Sequence, residues 1–102
     1  MKTETRTFNP ENWTGEEVTV KFEELAGIWT WDHSGYQCSL QNLQYYDGFK
    51  MYDLHVDGQY IGCKVGRMEG ECLWTAHRPH GDFTRQAAHP AEAAAKLLHN
   101  VM

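Results

Sequence analysis

The chain has little cysteine, little proline and no long hydrophobic run. Its three cysteines, Cys38, Cys63 and Cys72, are too few and too scattered for a disulfide scaffold, and paired C-x2-C spacings that bind zinc are absent. No apolar stretch approaches the roughly 20 residues of a membrane-spanning helix, and the polar start MKTETRTFNP is unlike a signal peptide. We therefore expect a reduced, cytoplasmic protein with no metal, no cofactor and no membrane partner.

Clusters of lysine and arginine are also missing. The formal net charge is −5 with neutral histidines, and no group of cations is available to neutralise a phosphate backbone, so direct nucleic-acid binding is not expected. Protonation of the six histidines would move the charge from −5 to +1, mostly near the ordinary imidazole pKa of about 6.5. The acidity is sensitive to mild acid, and it favours a partner with a basic surface.

Recognisable catalytic motifs are the third absence. Asp32, His33 and Ser34 carry the side chains of a catalytic triad, but adjacent residues cannot converge in that geometry. The chain has no glycine-rich phosphate loop and no pair of carboxylates on a predicted helix. We therefore expect a protein that is not an enzyme.

Aromatic residues, in contrast, make up 13% of the chain, and nine of them are tryptophan or tyrosine. Such residues are favoured at interfaces because they bury a large area and keep a polar atom. Trp29 and Trp31 lie on one face of a predicted strand, where they can stack on a ligand or anchor a partner. The alternative is core packing against Val20 and Phe22.

The first sixteen residues are polar and show no periodicity. This predicts a flexible or loosely docked acidic arm over residues 1–16, followed by a single domain over residues 17–102. Residues 17–23 alternate between apolar and polar, as in a half-buried strand. Residues 28–31 supply its antiparallel partner.

The segment that follows, residues 32–47, fits two descriptions. Tyr36, Cys38 and Leu40 alternate as in a strand, whereas Leu40 and Leu43 fit a short helical turn. The alternation favours a strand.

The middle of the chain predicts three strands joined by two turns. Asp57-Gly58 suits a two-residue turn and places Tyr52 opposite Cys63. A second turn over residues 66–70 places Cys63 opposite Cys72 and Ile61 opposite Trp74. Paired residues share a face, so the predicted core face consists of Tyr52, Leu54, Val56, Ile61, Cys63, Val65, Cys72, Trp74 and Ala76.

The end of the chain predicts a helix that begins at Pro90. Proline suits the first helical position because its missing N–H would have no partner there. The apolar stripe of this helix consists of Ala91, Ala94, Leu97, Leu98 and Val101. The predicted fold class is α+β: an antiparallel β-meander sheet with one C-terminal α-helix packed on one face.

The polar face of this sheet is the predicted binding surface. Asp53 can orient His55, and Tyr60 can donate to an anion. The candidate binding residues are Asp53, His55, Tyr60, Lys64, Thr75, His77, His80, Trp29 and Trp31, with His55, Tyr60 and Thr75 in one cross-strand row. Polar residues also belong on the solvent face of any one-sided sheet, which is the competing interpretation. A small-molecule or metal-dependent site on His55, Tyr60, His77 and His80 is the alternative function.

Residues 49–101, with their strand–strand–strand–helix layout and the helix start His89-Pro90-Ala-Glu-Ala, resemble the double-stranded-RNA-binding-like and HicB-antitoxin-like families. The basic residues with which the RNA-binding members hold a backbone have no counterpart here, so no functional residue is carried over.

By analogy, a small, acidic, aromatic-rich chain without catalytic motifs is typical of a phage- or mobile-element-encoded inhibitor or a toxin-neutralising partner. We expect an interaction protein that binds a larger protein or complex. A structural subunit of a larger assembly is a further alternative, and the sequence does not fix the oligomeric state.

Overall fold

An eight-stranded antiparallel sheet and one helix form the computed structural model, which describes residues 1–10, 15–81 and 83–101. The strands follow one another across the sheet in chain order. Their bounds are β1 (Lys2–Phe8), β2 (Val18–Leu25), β3 (Ile28–His33), β4 (Tyr36–Tyr46), β5 (Phe49–Val56), β6 (Gln59–Met68), β7 (Trp74–His77) and β8 (Thr84–Ala87), and the helix is α1 (Pro90–Val101). The predicted antiparallel meander with a C-terminal helix is confirmed, although strands far outweigh the helix and the sheet curls into a half-barrel.

Two-residue turns join β2 to β3, β3 to β4, β4 to β5 and β5 to β6. Each turn ends in glycine and has positive φ at both positions: Ala26-Gly27, Ser34-Gly35, Asp47-Gly48 and Asp57-Gly58. This backbone matches the right-handed twist of the flanking strands. Residues 32–47, whose pattern fits both a strand and a short helical turn, contain strand β4, as the alternation predicts.

The hairpin of β5 and β6 begins in the predicted register and then departs from it. The two pairs beside Asp57-Gly58 are those predicted. A bulge near Gly62, whose φ is 86°, then adds two residues to β6, so Tyr52 lies opposite Val65 rather than Cys63. Side chains of a strand alternate between the two faces of the sheet. An insertion of two residues therefore leaves the side chains beyond the bulge on their predicted faces.

The second turn lies further along the chain than predicted, because β6 continues beyond Gly66. Val65 consequently pairs with Ala76, and Cys72 lies exposed in the loop before β7. The predicted pairing of Cys63 with Cys72 is wrong.

Most of the predicted core face is buried. Seven of its nine residues are at most 9% exposed: Tyr52, Leu54, Val56, Cys63, Val65, Trp74 and Ala76. Cys72 and Ile61 are the exceptions, and Ile61 is 37% exposed beside the bulge instead of lying opposite Trp74.

Helix α1 lies against the core face and begins at Pro90, as predicted. The Nδ1 atom of His89 caps it by accepting a hydrogen bond from the Ala91 N–H at 3.1 Å. The helix contacts β3, β6, β7 and β8, so its burial extends beyond the predicted stripe to Ala93 and Ala95, whereas Val101 is 37% exposed. At twelve residues α1 is too short to span a membrane, and the described residues form no longer helix.

Strand β1 lies inside the segment predicted as an arm and pairs with β2 along its whole length. Arg6 Nε donates to the Glu92 carboxylate at 2.6 Å, and Asn100 Nδ2 donates to the Pro10 carbonyl at 3.0 Å. These contacts connect the start of the chain to α1. Residues 11–14 of the predicted arm lie outside the described residues.

Candidate binding surface

Most of the predicted binding residues lie on the side of the sheet that faces away from α1, here called the outer face. The strand register places Asp53, His55, Tyr60, Lys64, Thr75 and His77 on it. Trp29 and Trp31 point the other way and are only 5% and 3% exposed. The ring of Trp31 lies 5.4 Å from that of Phe22, centroid to centroid, so both tryptophans belong to the core, in line with the core-packing alternative.

Asp53 is the centre of an ordered polar cluster on the outer face. Its carboxylate accepts hydrogen bonds from Lys64 Nζ at 2.6 Å and from Asn42 Nδ2 at 2.9 Å. Asn42 lies in a bulge of β4 with a φ of 56°, and the bulge directs its side chain to β5. Burial acts to raise the pKa of Asp53, but the two hydrogen bonds and the Lys64 charge outweigh it and lower that pKa. The carboxylate is therefore ionised and fixed at neutral pH.

His55 and Tyr60 extend this cluster towards the Asp57-Gly58 turn. They lie opposite each other on β5 and β6, with their ring centroids 5.8 Å apart. The Lys64 ammonium lies 5.4 Å from the centroid of the Tyr60 ring. Tyr60 is 47% exposed, whereas His55 Nδ1 is buried and has no hydrogen-bond partner among the described residues. The exposed Tyr60 ring, which can stack on a ligand, thus lies next to His55, whose Nδ1 atom has no hydrogen-bond partner among the described residues.

The remaining predicted residues lie apart from this pair. Thr75 pairs with Gly66 rather than lying beside Tyr60, and its hydroxyl accepts a hydrogen bond from Gln86 Nε2 at 3.1 Å, so the predicted row with His55 is wrong. His77 lies opposite Lys64 on the outer face. His80 is exposed in the turn between β7 and β8.

The outer face also carries an apolar row that the sequence pattern did not predict. Tyr46 on β4, Phe49 on β5 and Met68 on β6 lie opposite one another, and Tyr46 and Met68 are 55% and 48% exposed. The Phe49 ring lies against Gly66, where a Cβ atom would come within 2.7 Å of it. Asp47-Gly48 could have predicted this row, because an Asp-Gly pair favours a two-residue turn, as at Asp57-Gly58, and such a turn places Tyr46 opposite Phe49.

The cysteines and histidines of the described residues form no metal-binding group. Cys38 and Cys63 are buried in the core, and burial raises the pKa of Cys38 to about 12. Within residues 1–10, 15–81 and 83–101, no group of three or more His, Cys, Asp and Glu side chains is placed to hold a metal ion. The geometry therefore adds nothing to the metal-dependent alternative.

Comparison with protein-family models finds no match, and comparisons with curated proteins and with solved structures find none either. The fold and the surface together define an antiparallel half-barrel around one helix, with an outer face that combines aromatic and fixed polar side chains.

Proposed function

We propose that this protein is a non-enzymatic interaction protein that binds a larger protein through its outer face. The observation that carries the proposal is the row of half-buried Phe49 between exposed Tyr46 and Met68, on the same face as the ordered cluster around Asp53. The single helix of the described chain covers the opposite face.

The outer face offers apolar area that a partner can bury and a polar group that is already held in place. Tyrosine and methionine side chains bury much apolar area in an interface, and tyrosine loses little conformational entropy. The Asp53 carboxylate is already held by Lys64 and Asn42, so ordering it on binding costs little. A rigid polar group beside an apolar anchor favours a specific partner over general adhesion.

The charge of the chain supports a partner with a basic surface, as an inhibitor or antitoxin-like neutraliser in the cytoplasm would require. The net charge of −5 speeds encounter with a cationic surface and weakens as histidines protonate. Affinity should therefore fall between pH 8 and pH 5.5 and with added salt. Binding that responds to neither would place the affinity in the aromatic residues alone.

The test is affinity capture with three tagged proteins followed by quantitative binding of the captured partner after its purification. The wild type is compared with Tyr46→Ala/Tyr60→Ala, which changes both the apolar row and the cluster around Asp53, and with Tyr36→Ala. Tyr36 is a matched control because it is 46% exposed, against 47% for Tyr60, and lies beside a different hairpin turn. The proposal requires a partner that the double variant loses and the control retains. A partner retained by both variants, or self-assembly seen by light scattering, would refute the outer-face assignment.

A polar ligand at His55 is the second candidate function, favoured by the buried Nδ1 atom that has no partner in the described part of the chain. A titration followed by the imidazole NMR signals of His55 separates the two functions. A saturable shift with a small molecule, in the absence of any protein partner, would support the second.

A further inference from the structure

The core face of the sheet carries a row of aromatic and cationic side chains where β4, β5 and β6 meet beside the Asp47-Gly48 turn. Tyr45 lies opposite Lys50, and Lys50 lies opposite Arg67. The register of β6 with β7 continues the row to Trp74. We call these four residues the cationic row.

Each cation of the row lies against an aromatic ring. The Lys50 ammonium is 5.7 Å from the Tyr45 ring centroid, and the Arg67 guanidinium is 5.4 Å from that of Trp74. Trp74 is buried at 9% exposure, whereas Tyr45 is 68% exposed and keeps ring surface free for a ligand. The pairs hold two positive charges on neighbouring strands.

Neither cation is neutralised within the described part of the chain. Arg6, Lys21, Lys64 and Lys96 all have carboxylate partners, whereas Lys50 and Arg67 have none among the described residues. Arg67 Nη1 reaches only a backbone carbonyl there, that of Glu71 at 3.4 Å, and its buried Nε has no hydrogen-bond partner in the same ranges. Lys2, Arg78 and Arg85 likewise have no carboxylate partner in these ranges, but Lys50 and Arg67 are the two that lie opposite each other on neighbouring strands and line one cavity.

A cavity collects these groups. It has a volume of about 390 Å³ and is lined by Tyr45, Gly48, Lys50, Arg67 and Glu69. The lining residues come from β4, β5 and β6, from the turn that joins β4 to β5 and from the residue after β6, so the cavity lies at the Asp47-Gly48 end of the core face. Glu69 is the one carboxylate among the lining residues and lowers the positive potential without cancelling it.

We propose that the cationic row binds a small phosphate-bearing molecule. A guanidinium offers two parallel N–H donors to a phosphate, and an ammonium adds a point charge. The exposed Tyr45 ring can stack on a planar group of the same ligand, as aromatic side chains do with bases. This site lies on the opposite side of the sheet from the outer face and does not depend on the proposed partner.

The test is a titration with adenosine monophosphate and with ribose 5-phosphate, followed by the NMR amide signal of Gly48, which lines the cavity. We expect saturable binding that Lys50→Gln and Arg67→Gln each weaken about tenfold or more, because a hydrogen bond to a charged group is lost. Glu69→Gln should strengthen binding, since it removes a negative charge. Tyr45→Ala should weaken binding of the nucleotide and leave ribose 5-phosphate unchanged.

Lys21→Gln is the matched control, because Lys21 is exposed on β2 and far from the cavity in the sheet order. Lys21→Gln removes one positive charge, as Lys50→Gln and Arg67→Gln do, and should change the affinity by less than about twofold. Two results would overturn the proposal. One is no saturable shift of Gly48 with either probe up to about 10 mM, where weak specific sites fill. The other is a loss in Lys21→Gln equal to that in Lys50→Gln.

Discussion

Arg6 and Glu92 meet at 2.6 Å and join the first strand to the helix across 86 positions of the chain. Glu92 is only 7% exposed, and its second neighbour of opposite charge is Lys96 at 3.5 Å. A hydrogen bond to a charged group contributes about 1.5–3 kcal/mol, whereas an exposed ion pair contributes at most about 1 kcal/mol. The Arg6–Glu92 pair therefore stabilises the packing of β1 against α1 more than any exposed pair can.

Replacing Arg6 by methionine should lower the free energy of unfolding by about 2 kcal/mol, because it leaves the buried Glu92 carboxylate with Lys96 alone. Urea denaturation measures the change. Lys21→Met is the control, since the Lys21–Glu23 pair at 3.6 Å is exposed, and it should cost about 0.5 kcal/mol or less. The double variant Arg6→Met/Glu92→Gln should lose less unfolding free energy than the sum of the losses in the two single variants. Additive losses, or equal costs for Arg6 and Lys21, would mean that the pair contributes no more than surface charge.

Stability should fall as the pH drops below about 6.5, because two histidines have lowered pKa values. Burial lowers the pKa of His89 and outweighs the nearby Glu4 and Glu92 carboxylates, with Arg6 and Lys2 acting in the same direction as burial. Burial also lowers the pKa of His33, assisted by His99 and opposed by Asp32. The unfolded chain binds protons near pH 6.5 and the folded chain only at lower pH, so stability is complete above that value and is lost below it.

His89 is the more informative of the two, since its Nδ1 caps α1 and its Nε2 lies 2.8 Å from Glu4 Oε2. From pH 7.5 to 5.5 it should account for up to about 1 kcal/mol of lost unfolding free energy. An asparagine side chain in its place would still cap the helix, so His89→Asn should flatten the pH dependence even though it loses the contact with Trp29. His80→Asn, at an exposed position, should retain the wild-type slope. An unchanged slope in His89→Asn would contradict this assignment.

The sequence predicted those parts of the fold that depend on neighbouring residues. The alternation in β2, the Asp57-Gly58 turn and the start of α1 are local signals, and the structure contains all three. Strand β1 was missed because its inward residues are mostly polar. Arg6 and Glu4 are placed by contacts with Glu92 and His89, more than eighty positions away, which no local pattern records.

The candidate surface was predictable up to the first irregularity. His55 and Tyr60 lie beside the turn and were paired correctly. The bulge near Gly62 and the continuation of β6 beyond Gly66 then displaced Thr75, because a glycine in a strand pattern fits either a bulge or a turn. The apolar and cationic rows lie beyond that point, and both escaped prediction.

Gly66→Ala should destabilise the protein by about 1–3 kcal/mol through overpacking. The added Cβ would lie 2.7 Å from the Phe49 ring and 3.1 Å from the Lys50 carbonyl oxygen, and neither neighbour can move freely within the paired strands. In Gly66→Ala/Phe49→Ala the ring is gone, so the combined cost should be smaller than the sum of the two single costs. Thermal or urea denaturation of the three variants gives the comparison. Additive costs would show that Phe49 does not lie over Gly66.

Only one of the three cysteines should react with a thiol reagent in the folded protein. Cys72 is exposed in the loop before β7, whereas burial raises the pKa values of Cys38 and Cys63 and removes both thiols from solvent. Ellman's reagent at pH 8 should therefore titrate about one thiol per folded chain and about three after denaturation in urea. The single exposed thiol should react in a fast phase. Cys72→Ser should abolish this fast phase, and Cys63→Ser should leave it unchanged. Two fast-reacting thiols in the wild type would contradict the burial of Cys38 or of Cys63, since only exposed thiolates react at that rate.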